Sequence, residues 1–194
     1  MVSLLLILIL ILDFAMSLWN AYSSGYNIAL LNRTAGSSWL RAVAYSGVGL
    51  AFAGMAYVMS VVLSAGAYYL GYVSQDVVST VVAFAFLVFG ALIIGFGLMI
   101  TIQSIALAMR RRSIWNILIA LWNSFAEIWD IAVYVESFGD AVSILRGERS
   151  EDESADVIII IIVALLIAFF LTYSVYKHGQ KKATGSANPN AFSY

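Results

Sequence analysis

Residues 114–145 read IWNILIALWNSFAEIWDIAVYVESFGDAVSIL. Whether this stretch crosses a bilayer or lies along its surface decides how often the whole chain crosses. It is long enough, since a spanning helix needs about 20 mostly apolar residues. It also carries Glu127, Asp130, Glu136 and Asp140. An acidic side chain facing lipid at the bilayer centre costs about 2.5–3.5 kcal/mol on insertion scales. These carboxylates must therefore face protein or water.

The rest of the chain makes a membrane setting unavoidable. Of 194 residues, 62% are hydrophobic and 11% are charged, where a soluble domain carries about 25% charge. Too few polar residues remain to clothe a water-facing surface. Four further apolar stretches are each long enough to span: residues 2–31, 38–72, 77–109 and 157–176. The last opens on the unbroken run VIIIIIVALLI at 157–167. A cleaved signal peptide is a poor reading of residues 2–12, because no basic segment precedes them and Asp13 stands where a cleavage region would begin.

Basic residues favour five spans over four. They cluster as Arg33 with Arg41, as Arg110, Arg111 and Arg112, and as Lys177, Lys181 and Lys182. Cytoplasmic flanks carry excess Lys and Arg. Five spans with the N-terminus outside put all three clusters and the C-terminus in the cytoplasm. The turn at 74–76 and the acidic loop at 147–156 then face outward. If residues 114–145 form an interfacial amphipathic helix instead, the last basic cluster moves outside. The expected architecture is thus an all-α protein of the cell membrane with one transmembrane domain over residues 1–176. A flexible polar tail, which holds the only proline, Pro189, follows at 177–194. Ser38, Asp76, Ser113 and Asp156 stand just before apolar stretches, where a side-chain oxygen can cap a helix.

Composition also excludes chemistry. There is no cysteine and a single histidine, His178, so thiolate metal sites and bis-His haem are ruled out. A net charge of −1 does not suit a nucleic-acid partner. No GxSxG, HExxH or Walker loop occurs, and no cofactor is expected. The absence of cysteine and the scarcity of lysine suit a heat-tolerant prokaryote.

Two polar stripes carry the functional signal. On the first helix, Asp13, Ser17, Asn20, Ser24 and Asn27 recur at helical spacing. On residues 114–145, Asn116, Asn123, Glu127, Asp130, Tyr134 and Ser137 do the same. In the five-span topology Asp13 lies roughly 18 Å along its helix and Glu127 about 20 Å along its own, counting from the two opposite faces. Both then fall near the midplane. Apart from Arg41, in the first turn of the stretch at 38–72, no Lys, Arg or His lies inside any span to neutralise them. A buried carboxylate without a cationic partner holds a proton or binds a cation. The stripes therefore suggest a cation or proton pathway in a small channel or transporter. Asp13, Glu127 and Asp130 would bind the ion, with Ser17, Asn20 and Asn123 as neutral oxygen donors. The competing reading is a non-catalytic subunit of a larger membrane assembly, its stripes serving as hydrogen-bonding glue. On an interfacial helix the second stripe would simply face water. The expected partners are the lipid bilayer and either further copies of the chain or another membrane subunit.

Small residues and tryptophans complete the pattern. Gly47, Ala51 and Gly54 share a helix face, as do Ala91 and Gly95, and small residues let helix backbones approach closely. Trp115, Trp122 and Trp129 stand seven apart, as a packing seam or a lipid anchor would place them. The segment LWNAY at 18–22 loosely resembles LWNSF at 121–125.

Overall fold

A computed structural model describes residues 4–34, 37–110, 112–147 and 150–185. Among them are five helices: α1 (Leu4–Thr34), α2 (Ser38–Tyr69), α3 (Gln75–Arg110), α4 (Ile114–Arg146) and α5 (Glu151–Gly185). All five are long and apolar enough to cross a membrane. At 31 to 36 residues, they measure about 46–54 Å, so their ends extend beyond a hydrocarbon core of about 30 Å. The chain is an all-α, five-helix membrane protein.

α4 settles the segment at 114–145. Thr101 Oγ1 of α3 donates to the Asn123 carbonyl of α4 at 3.3 Å. Gly97 lies against Glu127, and Gly90 against Tyr134. Residue numbers rise on one helix as they fall on the other, so α4 runs antiparallel along α3. A helix lying in the interface would instead cross α3 at a steep angle.

Ser17 and Ser24 of α1 meet Gly54 and Gly47 of α2, which is also antiparallel. α5 returns parallel to α1: its first turn meets the start of α3 through Ser74 Oγ, which donates to Glu153 Oε1 at 3.0 Å, and its last turn meets the end of α1 through Arg33. Helix direction therefore alternates along the chain. α1, α2 and α5 pack on one another; α3 packs on α2, α5 and α4; and α4 packs on α3 alone. The main apolar cluster joins Ala53, Met55 and Ala56 of α2 to Ala85 and Phe89 of α3 and Ala168 of α5.

Helix ends differ from the expectation at three of four caps. Ser113 caps α4 as expected, accepting from Asn116 N–H at 3.2 Å. Ser37 rather than Ser38 caps α2. Ser74 rather than Asp76 accepts from Val77 N–H at 3.3 Å. α5 starts six residues before Val157, so most of the expected acidic loop is its first turns. There Ser150 Oγ accepts from Glu153 N–H at 3.2 Å and Glu153 Oε2 accepts from Ser150 N–H at 3.3 Å, a reciprocal capping box. Acidic residues in the first turn suit the positive end of the helix dipole, which explains why the charged run is helical.

At its other end α5 continues past Tyr176 to Gly185, so the first nine residues of the expected flexible tail are helix. Arg33 holds this end, donating to the carbonyls of Ala183 at 3.2 Å and Thr184 at 3.0 Å. A guanidinium there satisfies orphan carbonyls and complements the negative helix end. Residues 186–194, including Pro189, lie outside the described residues.

The α2–α3 turn depends on Gly71, whose φ is +77°. Tyr72 N–H donates to the Ala67 carbonyl at 2.9 Å and Gly71 N–H to that of Tyr68 at 3.0 Å, which is the Schellman pattern. Replacing Gly71 with Val forces a side chain into left-handed backbone. Thermal unfolding in detergent is expected to show a loss of about 1–2 kcal/mol.

Candidate intramembrane acidic site

The two stripes face inward, but not toward each other. α1 and α4 flank the α2–α3 hairpin and make no backbone contact among the described residues. The helices that carry the two stripes are therefore not packed neighbours. On α1, Ser17, Ser24 and Asn27 are buried, while Asp13 and Asn20 are half-buried. On α4, Glu127 is buried and Asn123 and Asp130 are half-buried.

Each stripe fits a row of glycines. Ser17 and Ser24, seven residues apart, lie against Gly54 and Gly47 of α2, also seven apart. Glu127 and Tyr134 lie against Gly97 and Gly90 of α3 in the same way. A Cβ on Gly97 would overlap the Glu127 carboxylate. Only glycine leaves room for so large a polar group in the seam. Tyr134 completes the seam by donating its hydroxyl to the Leu87 carbonyl at 3.0 Å and stacking on Phe86.

Glu127 is 6% exposed. Its Oε2 fills the Gly97 notch, and its Oε1 is buried without a hydrogen-bond partner. Ser24 Oγ on α1 is likewise buried and unpartnered, in the Gly47 notch. These two oxygens belong to residues in equivalent places two positions past the loosely similar pentapeptides, each four residues beyond the asparagine, Asn20 or Asn123. The resemblance of those five residues thus continues into matching notches on the two sides of the hairpin.

The carboxylates form a row rather than a ring. Asp130 stands one turn from Glu127 and within electrostatic range of both Glu127 and Asp13. Tyr57 of α2 lies within range of Asp13. The contact pairs put Glu127 nearer the level of Ser24 than that of Asp13, so the equal depth expected for Asp13 and Glu127 is not kept. No group of three or more His, Asp or Glu residues converges as a metal site among the described residues.

The candidate donors are divided in use. Ser17 sits in the Gly54 notch. The main-chain carbonyl of Asn20 accepts from Ser23 Oγ at 3.3 Å, and the main-chain carbonyl of Asn123 accepts from Thr101 Oγ1. Ser17 and Asn20 stand on α1 and Asn123 on α4, two helices that do not pack on each other. The residues missed in the sequence were the receiving ones: Gly97, Gly90, Thr101 and Tyr57. The seven-residue interval shared by Gly90 and Gly97 with Glu127 and Tyr134 was a signal that could have found two of them. Gly95, by contrast, has nothing near it, and Ala91 is exposed. Among the described residues, the face shared by Ala91 and Gly95 packs on no other helix of the chain.

Trp115, Trp122 and Trp129 are 74%, 54% and 62% exposed, so they line the side of α4 turned away from α3. They are not a seam within the chain.

Fold and site together define a class: a small five-helix membrane protein with a row of acidic residues, Glu127 buried and Asp13 and Asp130 half-buried. Comparison with family models, with curated proteins and with solved structures finds no match.

Proposed function

We propose that the chain is a small membrane transporter or channel that moves protons, using Glu127, Asp130 and Asp13 in succession. The observation that carries this reading is the Glu127 carboxylate, buried in a helix seam with, among the described residues, an unpartnered oxygen and no cation beside it. Leaving such a group ionised in a low-dielectric seam is expensive, so it holds a proton. A metal cation needs several oxygens round one point. A proton needs one carboxylate at a time, and a row of three can pass it along. The test is proton flux in liposomes, argued for Glu127 below.

The assembly reading rests on a different surface. The stripes fit glycines of the chain's own helices, which leaves the outward tryptophans of α4 as the face a partner helix or second copy would use. A protein that co-purifies with a fixed partner and carries no flux alone would support that reading instead.

The distribution of the basic clusters supports an N-terminus outside and a C-terminus in the cytoplasm of the cell membrane. With no native cysteine to interfere, Glu151→Cys provides a clean probe. In oriented membranes it should react with an impermeant thiol reagent from outside. Labelling only from the cytoplasm would invert this topology.

A further inference from the structure

Away from the acidic row, a cleft of about 380 Å³ opens between the end of α3 and the start of α4. Its walls are Ile105 and Met109 of α3 and Ile117 and Leu121 of α4, with Ala120 at its floor. Among the described residues, the one charged lining residue is Arg112, in the short connection between the two helices. Ser124, also in the lining, spends its hydroxyl on the Ala120 carbonyl at 2.8 Å. The cleft therefore offers a long apolar surface with a guanidinium at one end.

That polarity matches one class of ligand. The α3–α4 connection lies at an end of two spanning helices, where headgroups lie. Apolar walls running from there toward the membrane interior suit an acyl chain. Arg112 is exposed, and no carboxylate pairs with it among the described residues. Guanidinium binds phosphate oxygens through parallel N–H donors, and basic pockets between spanning helices bind anionic headgroups. A second cleft, between Ile11 and Phe14 of α1 and Val58 and Val62 of α2, has no polar lining at all. It can hold a chain but cannot select a headgroup. We propose that the α3–α4 cleft binds one anionic phospholipid, its phosphate on Arg112 and an acyl chain against Ile105, Met109, Ile117 and Leu121.

Native mass spectrometry of the full chain tests this directly. The purified protein is offered equal phosphatidylglycerol and phosphatidylcholine with identical chains. Phosphatidylglycerol should be retained about tenfold better, as a charge-assisted phosphate contact implies. Arg112→Gln should remove that preference, while Arg146→Gln at the far end of α4 should leave it intact. Ala120→Phe, which fills the floor, should release the lipid although Arg112 remains. Equal retention of the two lipids, or a preference that survives Arg112→Gln, overturns the proposal. So does a lipid-blind dimer that Ala120→Phe converts to monomer, because the occupant is then a second copy. Should Ala120→Phe fail to fold, the Arg112 comparison decides alone, since that side chain is exposed.

Discussion

Glu127→Gln is expected to reduce proton flux through liposome-reconstituted protein to the level of empty vesicles, while the helical content and melting temperature stay at or above those of the parent. Gln has nearly the shape of a protonated Glu, so it fits the same notch against Gly97. It cannot release a proton. The seam loses nothing in packing, and it no longer holds a group whose ionised form is costly to bury. A stable but inactive variant separates a proton-carrying role from a structural one. Asp13→Asn and Asp130→Asn should each lower flux as well, because each interrupts the row. Flux that persists in the double variant Asp13→Asn with Glu127→Gln would sink the site assignment.

The second large effect concerns stability. Gly179→Ala and Gly25→Ala should each destabilise the protein by about 1–3 kcal/mol, the usual cost of overpacking. In both cases the added Cβ overlaps the backbone of the facing helix, at Tyr22 for Gly179 and at Tyr176 for Gly25. A backbone carbonyl cannot swing aside as a side chain can, so α1 and α5 must separate. Gly66 and Gly95 have nothing near them and provide the control. Alanine there should be neutral or favourable by up to about 1 kcal/mol, the ordinary gain in helix propensity. Thermal unfolding of the four variants in one detergent decides the matter. Equal stability across the set would mean that the α1–α5 seam is not as tight as described.

The helices were legible in the sequence because lipid imposes a simple length and polarity requirement. The interiors of all five spans follow from it. Their ends do not, because hydropathy is silent about caps. Glu151, Asp152 and Glu153 look like a loop by charge, yet they open α5 because a capping box and the helix dipole favour them there. Lys177 and Lys181 look like a tail, yet Arg33 anchors the helix that carries them. The site was legible as two stripes but not as an arrangement. Periodicity shows that Ser17 and Glu127 share faces with their neighbours. It does not show which helix receives them, and that information lay in the spacing of Gly47, Gly54, Gly90 and Gly97.

The parallel seam between α1 and α5 bears on how the protein is made. α1 leaves the ribosome ahead of its partners and finds α2 soon afterwards, but its other partner, α5, is separated from it by the synthesis of three intervening helices. Until α5 arrives, Gly25 faces lipid and Arg33 has no carbonyls to hold. With α1 to α4 made and α5 still to come, the bundle is thus open with one side unsealed. A slow or mistimed insertion of α5 would leave that side available to quality-control proteases or to another nascent copy.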